Sequence, residues 1–372
     1  MKIPKTSDIL GIINKIAPIS LAETWDNSGI QIGDPASEVT RVMVALDPTP
    51  DVIDSALKTS IQLLVTHHPL IFKPLKSIST ATPLGASMQK AIIGGLSIAS
   101  LHTNYDIARD GLNDLLASKL GLSSYVPLRV TATLELFKLV VFVPTDHVES
   151  VRSALFGFAV KQGNYRDCSF ATSGVGAFTP LEGAEPFTGT VEKLATVNEE
   201  RLEILIGRGQ LPRAVKALLA AHPYEEPAFD IYPLMNEGEK FGLGRIGRLP
   251  EATTLGEYAG QLKKVLSSPA LRYVGDPMTK ISKVALCSGS GASLLREAVR
   301  SGADLLVTGD VKYHEAREAE DLGLALIDAG HFPTEIIMVD DITVRLGRAL
   351  VSAGYTNCSV EACRTEMDPF RI

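Results

Sequence analysis

Residues 63–69 read Leu-Leu-Val-Thr-His-His-Pro, and residues 305–310 read Leu-Leu-Val-Thr-Gly-Asp. A short apolar run that is closed by proline or glycine predicts a buried strand. Its recurrence decides the fold, because the flanking sequence recurs with it. Upstream, Val44-Ala45-Leu46 is repeated at Val284-Ala285-Leu286, and the offsets, 306 − 64 = 242 and 286 − 46 = 240, nearly agree. Between these anchors Val52, Ile53, Ala56 and Leu57 correspond to Leu294, Leu295, Ala298 and Val299, a helical spacing in both copies. Thr49-Pro50 suits the N-cap and first position of that helix, where proline's missing N–H removes no bond. A third strand follows in each copy, at Leu96–Leu101 and Leu324–Ala329, and each leads to a histidine. His102-x-x-x-Asp106 is then echoed by His331-x-x-x-Glu335. Strand, helix, strand in both halves is the grammar of a mainly parallel sheet, and the matched order indicates duplication.

Between the halves the pattern changes. Strands are expected at Leu139–Phe142, Cys168–Ala171, Leu202–Ile206 and Ala228–Tyr232, with helices at Val148–Phe156 and Leu211–Ala221. That βαββαβ order predicts a ferredoxin-like α+β module. Gly174-Val175-Gly176 lacks the third glycine of a dinucleotide fingerprint and reads as a turn. Pro127 and Gly242-Leu243-Gly244 are suitable junctions. The expected organisation is a duplicated three-layer α/β host in two pieces, 1–126 and 244–372, interrupted by an insert at 127–243.

Composition narrows the function. The 372 residues carry 36 Lys+Arg against 43 Asp+Glu, a net charge of -7, so broad binding to a phosphate backbone is not expected and nucleic acid is an unlikely partner. No apolar run approaches the ~18–20 residues of a membrane span, and Met1–Leu10 has no apolar signal core, so a cytoplasmic protein without membrane contact is expected. The four cysteines, Cys168, Cys287, Cys358 and Cys363, form no CxxC pair. They are expected to be reduced and unpaired, and any metal would need imidazole and carboxylate.

Ligands in open parallel sheets gather beyond the carboxyl ends of strands. His67, His68, His102 and His331 are all expected there. Adjacent strand residues face opposite ways, so His67 and His68 can share a centre only where extended structure has broken down, which Pro69 permits. Asp106 and Glu335 add carboxylates. Imidazole with carboxylate suits zinc, iron, manganese or nickel, and a set of this size fits two ions roughly 3.5–4 Å apart with open positions. The competing reading is structural: histidines satisfy backbone groups, and an aspartate after a strand caps a helix.

Five stretches, TWDNSGIQIGD (24–34), LLVTHHPLIF (63–72), SLHTNYD (100–106), TGDVKYHEA (308–316) and DAGHFPTE (328–335), together resemble the Nif-three-like family, whose members are often labelled GTP cyclohydrolase 1 type 2 homologs. The insert, with HPYEEPAFDIYPL (222–234), resembles the extra domain of the longer bacterial members, similar in fold to PII and CutA. The resemblance implies metal ligation by His67, His68, Asp106, His331 and Glu335, two divalent ions per subunit, and His102 as an additional or supporting group. It also implies a ring-shaped homohexamer. The function expected is a metal-dependent hydrolase acting on a nucleotide or related small molecule. The alternative is a non-enzymatic metal-binding or regulatory protein with a PII-like sensing domain.

Weaker signals remain. His314 could move protons in the same cleft, or simply face outward from a helix. Ser288-Gly289-Ser290-Gly291 could offer backbone N–H groups to a phosphate, with Lys312 adding charge, although a tight turn is the simpler reading. Trp25, Asp26 and Asn27 could line the cleft mouth, or equally be a packed tryptophan with capping Asp and Asn. His222, Glu225 and Glu226 suit either a separate site or the polar caps of a helix-to-strand junction, and the latter is preferred.

Overall fold

The computed structural model describes residues 2–371. It divides into two compact units, the insert Thr133–Lys240 and a host built from the chain on both sides of it. The host contains two sheets. The first runs in the order Gly29–Ile32, Ser97–Ser100, Leu63–Thr66, Arg41–Ala45, Ser359–Ala362. The second runs Arg272–Val274, Ala325–Asp328, Leu305–Gly309, Lys280–Ser290, Lys240–Thr254, Ser123–Thr133. In each, three parallel strands are flanked by a short antiparallel strand on the third. The duplication thus extends to an edge strand too short for periodicity to reveal.

Strand register corrects one equivalence. Val44 pairs with Val65 and Leu286 with Val307, so the strands correspond at 307 − 65 = 242 throughout. The Val-Ala-Leu match at 240 is slipped by two residues. Because strand side chains alternate with period two, such a slip keeps every residue on its own face and leaves the apolar pattern intact.

Alternation builds the layers. Val42, Val44, Leu63 and Val65 enter one core with helices Thr6–Ile16 and Ile337–Ser352. Met43, Ala45 and Leu64 enter another, beneath helices Pro50–Lys58 and Pro83–Ile93. The second sheet repeats this, Val284, Leu286, Leu305 and Val307 on one face and Ala285 and Leu306 on the other. Thr49 caps its helix as expected, its hydroxyl accepting from the Val52 N–H at 3.2 Å.

The halves are also interlocked. The last strand, Ser359–Ala362, returns to the first sheet and pairs with Arg41–Ala45. Ser123–Thr133, from the first half, forms an edge of the second sheet. Pro127 and Gly242-Leu243-Gly244 therefore lie within strands rather than in linkers. The buried Arg245 joins the halves: it pairs with Asp114 and donates to the carbonyls of Ala108 (3.0 Å), Gly242 (2.7 Å) and Gly244 (2.8 Å).

The insert has one antiparallel sheet, ordered Ser169–Phe178, Ala195–Gly207, Leu136–Pro144, Phe229–Pro233. Helices Val148–Phe156 and Leu211–Ala221 share its core, the ferredoxin-like arrangement. Gly174-Val175-Gly176 is strand, not turn. A Cβ on Gly176 would meet Glu199 Oε2 at 2.1 Å, so glycine there makes room for a carboxylate that accepts the Tyr224 hydroxyl at 2.9 Å. Among the described residues no helix is long and apolar enough to cross a membrane.

Candidate metal centre

His67 and His68 follow the end of strand Leu63–Thr66, where the ladder stops being regular. Both amide N–H groups donate to one carbonyl, that of Leu46, at 3.1 and 3.0 Å. Thr66 turns its hydroxyl onto the His68 carbonyl at 2.7 Å. Two consecutive imidazoles can therefore face one centre, as the breakdown of extended backbone requires.

Four histidines meet there, each tethered through Nδ1. His67 Nδ1 lies 2.7 Å from the Leu101 carbonyl, His68 Nδ1 2.7 Å from Asp47 Oδ1, His102 Nδ1 2.7 Å from Asp26 Oδ1, and His331 Nδ1 2.7 Å from Asp310 Oδ2. A carbonyl or carboxylate at Nδ1 keeps the proton on that nitrogen and leaves Nε2 as a lone-pair donor. The Nε2 atoms face one another: His68 and His331 approach to 3.3 Å, and ligand atoms of His67, His68 and His102 lie within 4.8 Å of each other. A second such group is His68, His331 and Glu335, sharing His68 with the first.

The carboxylates fill the remaining sides. Glu335 Oε2 is 2.9 Å from His331 Nε2 and 3.1 Å from His68 Nε2, and its Oε1 is 3.7 Å from His67 Nε2. Asp106 Oδ1 is 3.8 Å from His67 Nε2 and accepts the Ser288 hydroxyl at 3.2 Å. Yet His67 Nε2 is buried without a hydrogen-bond partner, the nearest carboxylate oxygens standing 3.7 and 3.8 Å away. Leaving such an atom unpaired costs about 1–3 kcal/mol. An orphaned nitrogen among imidazoles and carboxylates that converge from both halves fits a metal ion.

Electrostatics agree with that fit. Burial opposes charge on His68, but Asp47 and Glu335 outweigh it and raise the imidazole to about 10. His331 rises likewise to about 9, against its burial, through Glu335 and Asp310. Burial also opposes charge on His67, and Asp106 and Glu335 again outweigh it. Glu335 is driven well below the usual carboxylate range by the surrounding imidazoles in spite of burial. Asp106 is pushed up, first by burial and then by the Glu335 charge. Cations would replace these protons. Cys287 is raised to about 12 by burial and by both carboxylates.

The glycine loop serves the cluster in a different way from phosphate binding. The Ser288, Gly289 and Gly291 N–H groups already donate to Asn113 Oδ1 (2.9 Å), Thr334 Oγ1 (3.0 Å) and Thr308 Oγ1 (2.7 Å). Gly289 has φ +56°, and a Cβ there would lie 2.1 Å from Glu335 Oε1 and 3.1 Å from His331 Nε2. The loop is thus a wall moulded to the donor atoms. Lys312 is exposed, and its N–H pairs with Glu315 at the start of the next helix.

His67, His68, His102, Asp106, His331 and Glu335 are brought together. His314 is not: it is exposed on helix Tyr313–Asp321 with its ring against Tyr313. Trp25 is largely exposed with its ring edge toward Phe72 and His102, whereas Asp26 is a working part of the cluster, also accepting from Thr103 and Ser28. Those three donors hold its carboxyl far below the usual range against the effect of burial. Asp47 and Asp310 escaped sequence reasoning. Asp310 could have been found, since offset 242 places it opposite His68. In the insert His222 is structural, its Nε2–H donating to the Phe142 carbonyl (3.0 Å) and its Nδ1 accepting the Tyr224 N–H (3.1 Å), while Glu225 accepts from the Glu185 N–H. All four cysteines are unpaired.

A cavity of ≈1080 Å³ opens beside the cluster, with His68 and His331 in its wall among Leu46, Phe332, Pro333 and Ile336. Arg272 lines it too, fixed by Asp328 Oδ2 (2.8 Å) and the Val311 carbonyl (2.7 Å).

The family described as Duf34/NIF3 (NGG1p interacting factor 3) matches residues 4–369. The chain is 43% identical over 371 residues to a GTP cyclohydrolase 1 type 2 homolog of Halalkalibacterium halodurans, covering 100% of this chain and 99% of that one. It is 38% identical over 363 residues to the Bacillus subtilis protein of the same description, covering 97% of each. Among solved structures, a Bacillus cereus protein related to NIF3 superposes with a TM-score of 0.93 at 39% identity over the full length of both chains.

Proposed function

Because this chain belongs to the Duf34/NIF3 family, we propose that its cluster binds two divalent metal ions and serves a cytoplasmic hydrolase acting on a nucleotide or related small molecule. The observation that carries this reading is the tethering of all four histidines at Nδ1, which turns four Nε2 atoms toward one space. His67, His68, Asp106, His331 and Glu335 hold the ions, with His102 completing the group around His67 and His68. Zinc, iron, manganese and nickel all accept this donor set. When bound, such ions supply Lewis acidity and activate water near neutral pH.

The chain's own residues supply the rest. Asp26, Asp47 and Asp310 retain the Nδ1 protons and fix the ring planes. The cavity walls receive the substrate's apolar body beside His68 and His331, and Arg272 offers a cation for an anionic group. The relatives' description makes GTP the first substrate to try. A ring-shaped homohexamer belongs to the same proposal and is checked by sedimentation.

The insert favours a second reading: its ferredoxin-like topology suits a PII/CutA-like sensing module on a non-enzymatic metal-binding protein. One experiment separates the two. The purified protein is analysed for metal, loaded with iron, manganese, zinc or cobalt, and assayed with GTP and a phosphoester panel beside a His67→Ala/Glu335→Ala double variant. Turnover lost in the double variant supports the hydrolase. No turnover with any metal, or equal turnover in the variant, leaves the regulatory reading, and a protein that takes up no metal overturns both.

A further inference from the structure

The tail beyond the last strand reaches the supports of the cluster. Strand Ser359–Ala362 runs parallel to Arg41–Ala45, and the Cys363 N–H still donates to the Val44 carbonyl at 2.7 Å. The backbone ladder ends there, but a side chain continues it. Glu366 accepts the Leu46 N–H at 2.9 Å through Oε2 and the Asp47 N–H at 2.8 Å through Oε1.

The peptide unit between Leu46 and Asp47 is the one on which the tandem histidines depend. Its carbonyl receives the amides of both His67 and His68, and its N–H is the one held by Glu366. A peptide unit is planar, so fixing its N–H fixes the direction of its carbonyl. Asp47, on the same unit, tethers His68 Nδ1. Glu366 thus controls two supports of the imidazole pair, the backbone turn that lets adjacent residues face one centre and the carboxylate that orients one ring.

We propose that Glu366 is a positioning residue of the metal centre, acting through the Leu46–Asp47 peptide on His67 and His68. The inference rests on the metal-binding reading above. It also explains why a tail about 320 residues away in sequence is folded back onto the first sheet. His331 does not depend on this support, because its Nδ1 is held by Asp310 on the other sheet's strand end.

The test compares Glu366→Ala, Glu366→Gln and, as a control on the same edge, Glu361→Gln, whose residue pairs with Arg41. Cobalt(II) affinity and the visible absorption of the cobalt-loaded protein are measured, with crystal structures of the metal-free variants. Supporting partners of metal ligands are typically worth 10–100-fold in affinity. Glu366→Ala is expected to lose about that much and to shift the cobalt bands, Glu366→Gln to recover part through its one remaining acceptor oxygen, and Glu361→Gln to match the parent. In the metal-free Glu366→Ala structure the Leu46–Asp47 peptide and the His68 ring should turn, with His331 unmoved. Should the alanine variant fail to fold, the glutamine variant decides. Unchanged affinity, bands and His68 orientation in a folded Glu366 variant overturn the inference alone. A parent protein that binds no cobalt overturns the metal reading, and the crystal structures then still decide whether Glu366 orients His68.

Discussion

The two halves of the host share a scaffold and divide the chemistry unequally. At corresponding strand ends the first half carries His67-His68 and the second Gly309-Asp310. A Cβ on Gly309 would lie 2.6 Å from the backbone at Gly330 and His331, so the second copy gives up an imidazole to let the His331 segment come close. Asp310, where the first copy has His68, became the support of His331. Both halves keep a histidine followed four residues later by an acid, but Glu335 is one methylene longer than Asp106. It reaches between His68 and His331, while Asp106 stays beside His67. Duplication supplied two equivalent ledges, and one now carries a pair of imidazoles while the other carries a support for His331 and leads to a carboxylate between the rings.

The joint between the halves should be the most sensitive point. Arg245→Met leaves Asp114 buried and unpaired, which typically costs about 3–5 kcal/mol. Urea unfolding should register that loss, and adding Asp114→Asn should restore part of it. No change in the single variant would mean that the halves do not depend on this pair. Next, Gly309→Ala tests the exchange of imidazole for space. Overpacking of this kind costs about 1–3 kcal/mol, and the lowered melting temperature should be accompanied by reduced metal uptake because His331 is displaced.

A smaller effect compares the supports. Asp47→Asn and Asp310→Asn should each weaken metal binding by about 10–100-fold, measured by competition with a chromophoric chelator. If the halves contribute independent supports, the double variant should show the product of the two losses. A loss confined to one of them would identify the dominant half.

The last comparison concerns pH. His68 and His331 are raised to about 10 and about 9 in the metal-free fold. Raised imidazoles stabilise the folded state fully below their ordinary value near 6.5, and that contribution is lost as pH rises through 9 and then 10. The metal-free protein should therefore melt progressively lower from about pH 6.5 to about pH 10, while the loaded protein should not follow it. Metal uptake at pH 7 should release protons to a weakly buffered solution. Parallel melting curves for the two forms would show that these imidazoles are not the groups displaced.

Much of this was legible in one dimension. Apolar runs, helical spacing and the strand-end histidines depend on local period and residue type, so the parallel strands, the insert's βαββαβ order and the residues His67, His68, His102, Asp106, His331 and Glu335 could be read directly. The short edge strands at Gly29–Ile32 and Arg272–Val274 could not, since three or four residues carry too little pattern. The two-residue slip at Val44 was hidden because face alternation is blind to even shifts.

Tertiary structure alone decided the supports. Asp26, Asp47, Asp310 and Glu366 are ordinary acids in sequence, and each gains its role from a partner 21 or more residues away. His314 sits in a promising motif and yet faces solvent, because the helix it begins turns it outward. In sequence the glycine loop suits a tight turn and could also offer its N–H groups to a phosphate; in the fold Asn113, Thr334 and Thr308 occupy three of them. Periodicity and residue chemistry are local and survive in the sequence. Which lone pair meets which proton depends on chain crossings that bring residues hundreds apart into contact, and only the folded chain specifies those.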